Sequence, residues 1–222
     1  MSYMIFAHSS SDPARMDFVN DELQDLKNYL ETNTSDDWWF EDMGDCGVNC
    51  KDDKYGSGGA GEEAFIEDAL DALDQNEGLV PGDNIILAHD NAVWGYGRSH
   101  PYNLPDGGEV HGCTVYAGNT AIGGWEIKGF TWHEAMHSYG ADHADGRYRV
   151  GGTGDGMYGI TPMCMSYLKD GDFEVDTTWS GGGNIPSEFC TGDLNYTGEY
   201  RYQDKRKNHY LSTLSSCTTN NV

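Results

Sequence analysis

Basic side chains are scarce in this 222-residue chain: 13 Lys and Arg stand against 37 Asp and Glu, a formal charge of −24 at pH 7. Nucleic acids and anionic membrane surfaces repel such a body, so neither is expected as a partner. No apolar run approaches the roughly 20 residues that cross a bilayer, which leaves no candidate transmembrane helix. No CxxC pair occurs, so spacing gives no thiolate zinc site and no dithiol redox centre. There is no internal repeat and no complete EF-hand loop. A signal peptide is also missing, since Met1–Ala7 is far too short to be one. The chain therefore reads as a mature domain whose leader and any pro-segment have been removed.

Aromatic residues make up 12% of the chain, with 14 Tyr and 6 Trp, enough to bury a real core. The length favours one catalytic-sized domain, 1–222, over two small ones. Acidic residues are spread along the whole chain rather than gathered in a tail. Their mutual repulsion destabilises the compact state unless salt screens it, which points to a halophilic source. The cysteines, Cys46, Cys50, Cys113, Cys164, Cys190 and Cys217, are even in number and suit disulfides in an exported, extracellular protein. Their connectivity is open, with Cys46 to Cys50 one way of closing a small loop.

Periodicity predicts alternating strands and helices in the first half. Tyr3–Ala7 suits a buried strand, and Trp38–Phe40 a second. Between them Ser11 or Asp12 caps a helix with Pro13 in its first turn, and Met16, Val19, Leu23, Leu26 and Leu30 recur at helical spacing. Gly44–Gly61 reads as a loop. Glu62–Gln75 reads as a helix burying Phe65, Ile66, Ala69, Leu70 and Leu73. Asn84–His89 is an apolar strand, Gly95–Gly108 is turn-rich, and Val110–Ala117 alternates as an edge strand. Within the turn-rich segment, Trp94-Gly95-Tyr96-Gly97-Arg98 suits either packing or a cleft lining. A third helix runs from Trp125 or Ile127 to Tyr139. Beyond His143 regular periodicity is lost, with a C-terminal helix expected within Gly198–Leu214. The halves divide as 1–143 and 144–222.

Chemistry concentrates in His133-Glu134-Ala135-Met136-His137-Ser138-Tyr139-Gly140-Ala141-Asp142-His143. On a helix, residues four apart share a face, so His133 and His137 can offer imidazole nitrogens to one ion. Glu134, one step round, can reach a metal-bound water without being a ligand. Gly140 can end the helix in a left-handed conformation and return the chain so that His143 becomes the third ligand. Three histidines leave a fourth zinc position open, the mark of a catalytic rather than a structural site. Zinc lowers the pKa of bound water to about 7, and Glu134 as general base takes its proton and passes it to a leaving amine. With this composition HExxH alone arises on the order of once in 60 such chains; Gly140 and His143 lower that to roughly one in ten thousand.

HExxHxxGxxH resembles the zinc signature of the metzincin clan of metalloproteases. Pro162-Met163-Cys164-Met165-Ser166-Tyr167 resembles the clan's Met-turn, in which a methionine lies beneath the metal; Met165 is the better match and Met163 the alternative. The Met-x-Tyr spacing is similar to astacins and serralysins, which implies that Tyr167 binds the metal or the transition state. The resemblance also implies an α+β fold: a twisted mixed sheet with helices above the zinc site and an irregular C-terminal subdomain below. It further implies an edge strand pairing with substrate backbone, for which Val110–Gly118 occupies the corresponding place. Ala144, following the third histidine, assigns no subfamily.

The expected function is thus a secreted, salt-adapted zinc endopeptidase acting on peptide or protein substrates. The alternatives are a zinc-dependent hydrolase of another amide, or a binding or processing module with one dedicated partner. Asp170-Gly171-Asp172 and Asp142 with Asp145 supply calcium-type oxygens, but their spacing suits a solvated acidic surface better. The remaining histidines, His8, His89, His100, His111 and His209, have no partner at ligand spacing.

Overall fold

The computed structural model describes residues 2–9, 13–92, 94, 97–117, 125–142, 145–146, 148–149, 158–164, 190, 200–203, 208–211 and 214–221. Met1–Tyr139 and Gly140–Val222 form two compact units. The fold mixes helices with a five-stranded sheet in the first unit and a four-stranded sheet in the second.

In the first unit the sheet runs β2-β1-β3-β5-β4. Strand β1 (Ser2–Ser9) lies between β2 (Trp38–Asp45) and β3 (Asn84–His89), parallel to both. Both its faces are covered, so the four consecutive apolar residues Met4–Ala7 are all buried. Helix α1 (Pro13–Asn33) buries Met16, Val19, Leu23, Leu26 and Leu30 as the spacing predicts; its expected caps, Ser11 and Asp12, lie outside the described residues. Helix α2 (Gly59–Glu77) starts three residues earlier than expected and stops at Gly78, whose φ of 77° lets its N–H return to the Asp74 carbonyl at 3.0 Å. Its Phe65, Ile66, Ala69, Leu70 and Leu73 form one core with Ile5, Ala7, Ile85 and Leu87. Each large side chain buried there contributes about 1.5–3 kcal/mol. Helix α3 (Trp125–Ser138) meets α1 through Trp132, whose indole N–H donates to the Glu22 carbonyl at 3.0 Å and whose ring lies 5.4 Å from Tyr29.

Two expectations about the far side of the sheet are corrected. The turn-rich segment contains β4 (Gly97–Asn103), antiparallel to β5 (Glu109–Tyr116). Consequently the strand expected at Val110–Ala117 is not an edge: β5 is paired with β3 on one side and β4 on the other. Strand β4 escapes apolar pattern reading because its inward-turned side chains are polar. Arg98, His100 and Tyr102 meet Glu63, Glu67 and Asp71, residues spaced by four along α2. Strand β2 is also longer than expected, running on to Asp45.

The second unit is more regular than its composition suggests. Its sheet runs β6-β7-β9-β8, from β6 (Tyr148–Arg149), β7 (Tyr158–Ile160), β8 (Tyr200–Gln203) and β9 (Asn208–Leu211). The helix expected within Gly198–Leu214 is instead the antiparallel pair β8–β9. Tyr200 and Tyr202 alternate with polar residues, a pleated rather than helical period. The C-terminal helix follows as α4 (Ser216–Asn221), capped by Ser215, whose Oγ accepts the Thr218 N–H at 3.1 Å. Cys190 and Cys217 form a disulfide. The expectation of disulfides throughout is corrected for Cys46, Cys50 and Cys113, which are buried free thiols. Cys50 Sγ donates instead to the Ser9 carbonyl at 3.1 Å, while Cys113 lies inside the sheet.

Acidic side chains crowd the outside of the first unit. Asp17, Asp21, Asp25 and Glu31 are exposed along α1, and Glu41 and Asp42 on the outer edge of β2. Raising salt from about 0.1 to about 1 M shortens the screening length from about 10 Å to about 3 Å. Thermal unfolding should then rise by about 5 °C, on the order of 2 kcal/mol. A midpoint indifferent to salt would show that repulsion among these carboxylates does not limit stability.

Candidate metal and acid–base centre

Helix α3 presents His133 and His137 from successive turns, and the structure brings their rings together. Their Nε2 atoms face each other at 3.1 Å, with the ring planes nearly perpendicular at 87°. One tautomer shares a proton across that gap. The same separation suits two ligands of one zinc ion: with Zn–N near 2.0–2.1 Å, 3.1 Å corresponds to an angle of about 100° at the metal. The donor chemistry thus fits zinc for these two residues. Among the described residues no third His, Cys, Asp or Glu completes a metal-binding group. His143, Met165 and Tyr167 lie outside the described residues. Met163, the alternative methionine, is fully buried. Gly140 has φ 92°, the positive backbone angle expected of it.

Glu134 is buried against the sheet, at the start of β4. A Cβ on Gly97 would stand 2.2 Å from Glu134 Cγ, 2.5 Å from its Cδ and 2.5 Å from the Thr114 carbonyl oxygen. Gly97 is therefore required for space: the carboxyl group occupies the volume a side chain would fill. The aromatic, Gly-rich loop stands out in the sequence, but this role of Gly97 does not. Trp94 of that loop belongs to the α2 core, its indole N–H donating to the Gly56 carbonyl at 3.1 Å.

A second buried carboxylate, unforeseen from the sequence, belongs to the same neighbourhood. Glu62 in the first turn of α2 accepts a hydrogen bond from Thr114 Oγ1, which in turn accepts the Arg98 N–H at 2.9 Å. Loss of water pushes the Glu134 carboxyl up to about 8, and the charge of Glu62 adds to that shift. Burial likewise raises Glu62, opposed by the Thr114 hydroxyl and by Arg98. Burial drives the Cys113 thiol well up, aided by the charge of Glu134, so this cysteine stays protonated and unreactive. His89 is wholly buried and pushed down to about 3 by loss of water. Its Nδ1 accepts the Asn91 N–H at 3.2 Å, which leaves the proton on Nε2, 3.8 Å from Glu62 Oε1. It is a neutral histidine of the core. The sequence signal that could have found Glu62 was its place on the apolar stripe, between Ala69 and Phe65 on one side and the helix start on the other.

Gly97→Ala tests how closely Glu134 is held. Overpacking should cost about 1–3 kcal/mol in denaturant unfolding. Removing the Glu134 side chain in the same chain should recover part of the loss, leaving the clash with the Thr114 carbonyl. Strict additivity of the two substitutions would show that the two groups do not meet.

Compared with known proteins, the chain matches no family model, no curated protein and no solved structure.

Proposed function

We propose that this chain is a secreted, salt-adapted zinc endopeptidase with a metzincin-like catalytic domain. The observation that carries the proposal is the face of α3: two imidazole nitrogens 3.1 Å apart, with a buried carboxyl one residue along, beside an outer sheet strand. The chance of HExxHxxGxxH arising with its first five residues on such a helix is small. His133 and His137 would hold the ion, with His143 as the third ligand, Met165 beneath it and Tyr167 at the reacting oxygen. Zinc, when bound, supplies a Lewis acid that polarises a carbonyl and makes a water acidic near neutrality.

The remaining chemistry belongs to the chain. Glu134 is the group that accepts a proton from the attacking water and returns it to the departing amine. Its burial and the neighbouring Glu62 strengthen its hold on a proton, whereas a cation on the adjacent imidazoles weakens it. These opposed effects favour a base working near neutral pH. Gly97 bounds the carboxyl group on the side of the sheet, where a larger side chain would collide with it. The role of pairing with substrate backbone passes from Val110–Gly118 to β4, because β5 is interior and β4 outermost.

The test is cleavage of an unfolded protein in concentrated salt by wild type and Glu134→Ala at matched zinc content. Wild type should cut, and the variant should hold zinc but cut about 10²–10⁴-fold more slowly. If both hold zinc, remain folded and cut nothing, general proteolysis is wrong. A hydrolase of another amide, or a module with one dedicated partner, then takes its place.

A further inference from the structure

The outer edge of β4 has a direction-dependent supply of hydrogen bonds that follows from its register. Thr114 Oγ1 receives the Arg98 N–H at 2.9 Å and lies 3.4 Å from the Arg98 carbonyl oxygen, so both peptide groups of Arg98 face β5. The Leu104 N–H, six residues on, points the same way, to the Gly108 carbonyl at 3.0 Å. In an antiparallel pair these directions alternate. His100 and Tyr102 therefore share the inward set, and Gly97, Ser99, Pro101 and Asn103 turn their peptide groups to the free edge. Among the described residues no strand pairs with that edge. Pro101 is exposed and has no N–H, so the outward row of donors runs from Gly97 to Ser99 and is interrupted at Pro101.

We propose that Pro101 limits the length of peptide backbone that β4 recognises, with Ser99 as the last residue before it that gives both donor and acceptor to an extended substrate. The inference rests on the peptidase reading and adds a specificity determinant to it. Gly97 touches Glu134, so the count begins at the reacting centre. At about 3.4 Å per residue, Ser99 lies about 7 Å along the strand and Pro101 about 14 Å. A substrate residue opposite Ser99 donates its N–H to the Ser99 carbonyl and accepts the Ser99 N–H. Opposite Pro101 it can only donate. This pairing is that of an added antiparallel strand; a parallel one would reach the two groups of Ser99 from two different residues but would meet the same missing donor at Pro101. The arrangement also protects the edge: β2, at the other side of the sheet, is shielded by Glu41 and Asp42, while β4 is shielded by a missing donor. The side chains of Arg98, His100 and Tyr102 are engaged with α2, which holds β4 in place without occupying its edge.

The experiment uses one peptide sequence of fixed scissile bond, lengthened one residue at a time along β4, with the zinc-loaded full chain in concentrated salt. In the wild type the improvement in KM per added residue should shrink once the peptide passes Ser99. Pro101→Ala and Pro101→Val each restore an N–H, so both should lower KM for the longest peptides about three- to tenfold, with kcat unchanged. Ser99→Pro should bring that decline one pair earlier. Peptide binding to Glu134→Gln, followed by fluorescence, should show the same length dependence without turnover. If wild type cleaves but neither Pro101 variant changes the length dependence, the limit at Pro101 is wrong and the peptidase reading stands. If wild type neither cleaves nor binds any peptide of the series, both fail together.

Discussion

The approach of Glu134 to the backbone of β4 and β5 is the contact on which the candidate centre depends. A carboxyl group sits where the side chain of residue 97 would be, so helix α3 can come close to the sheet only because that residue is glycine. The same approach removes the carboxyl from water and brings it under the influence of Glu62, raising its proton affinity. Spacing in α3, a glycine in β4 and an acid in α2 are thus parts of one arrangement.

Helices and buried strands were legible because burial enforces period. Met16 to Leu30 in α1 and Phe65 to Leu73 in α2 recur every three or four residues, and each of those stripes is buried as expected. Asn84–His89 reads as a strand because both its faces are covered. Strand β4 was hidden for the opposite reason. Its structure comes from pairing with β5 and from polar contacts with α2, and neither leaves an apolar alternation in residues 97–103. That omission also made β5 look like an edge.

The site was legible to a different depth in each part. HExxH placed His133, Glu134 and His137 together on one helix, and Gly140 in a positive-φ turn, as spacing alone suggested. Glu62 and Gly97 were not legible, because an acid on a helix in so acidic a chain looks solvated and a glycine in a Gly-rich loop looks like a turn. Cysteine parity also misled: Cys46, Cys50 and Cys113 are accommodated as small buried groups, two of them placed by hydrogen bonds to backbone carbonyls.

In the proposed centre the imidazoles of His133 and His137 would hold zinc in an open, nitrogen-rich site. Zinc-edge X-ray absorption of the stoichiometrically loaded protein tests it directly. Nitrogen and oxygen scatterers are expected at about 2.0–2.1 Å, with the histidine component reduced in His133→Ala and His137→Ala. Sulfur scatterers at about 2.3 Å, unchanged in both variants, would contradict it by moving the metal to cysteine.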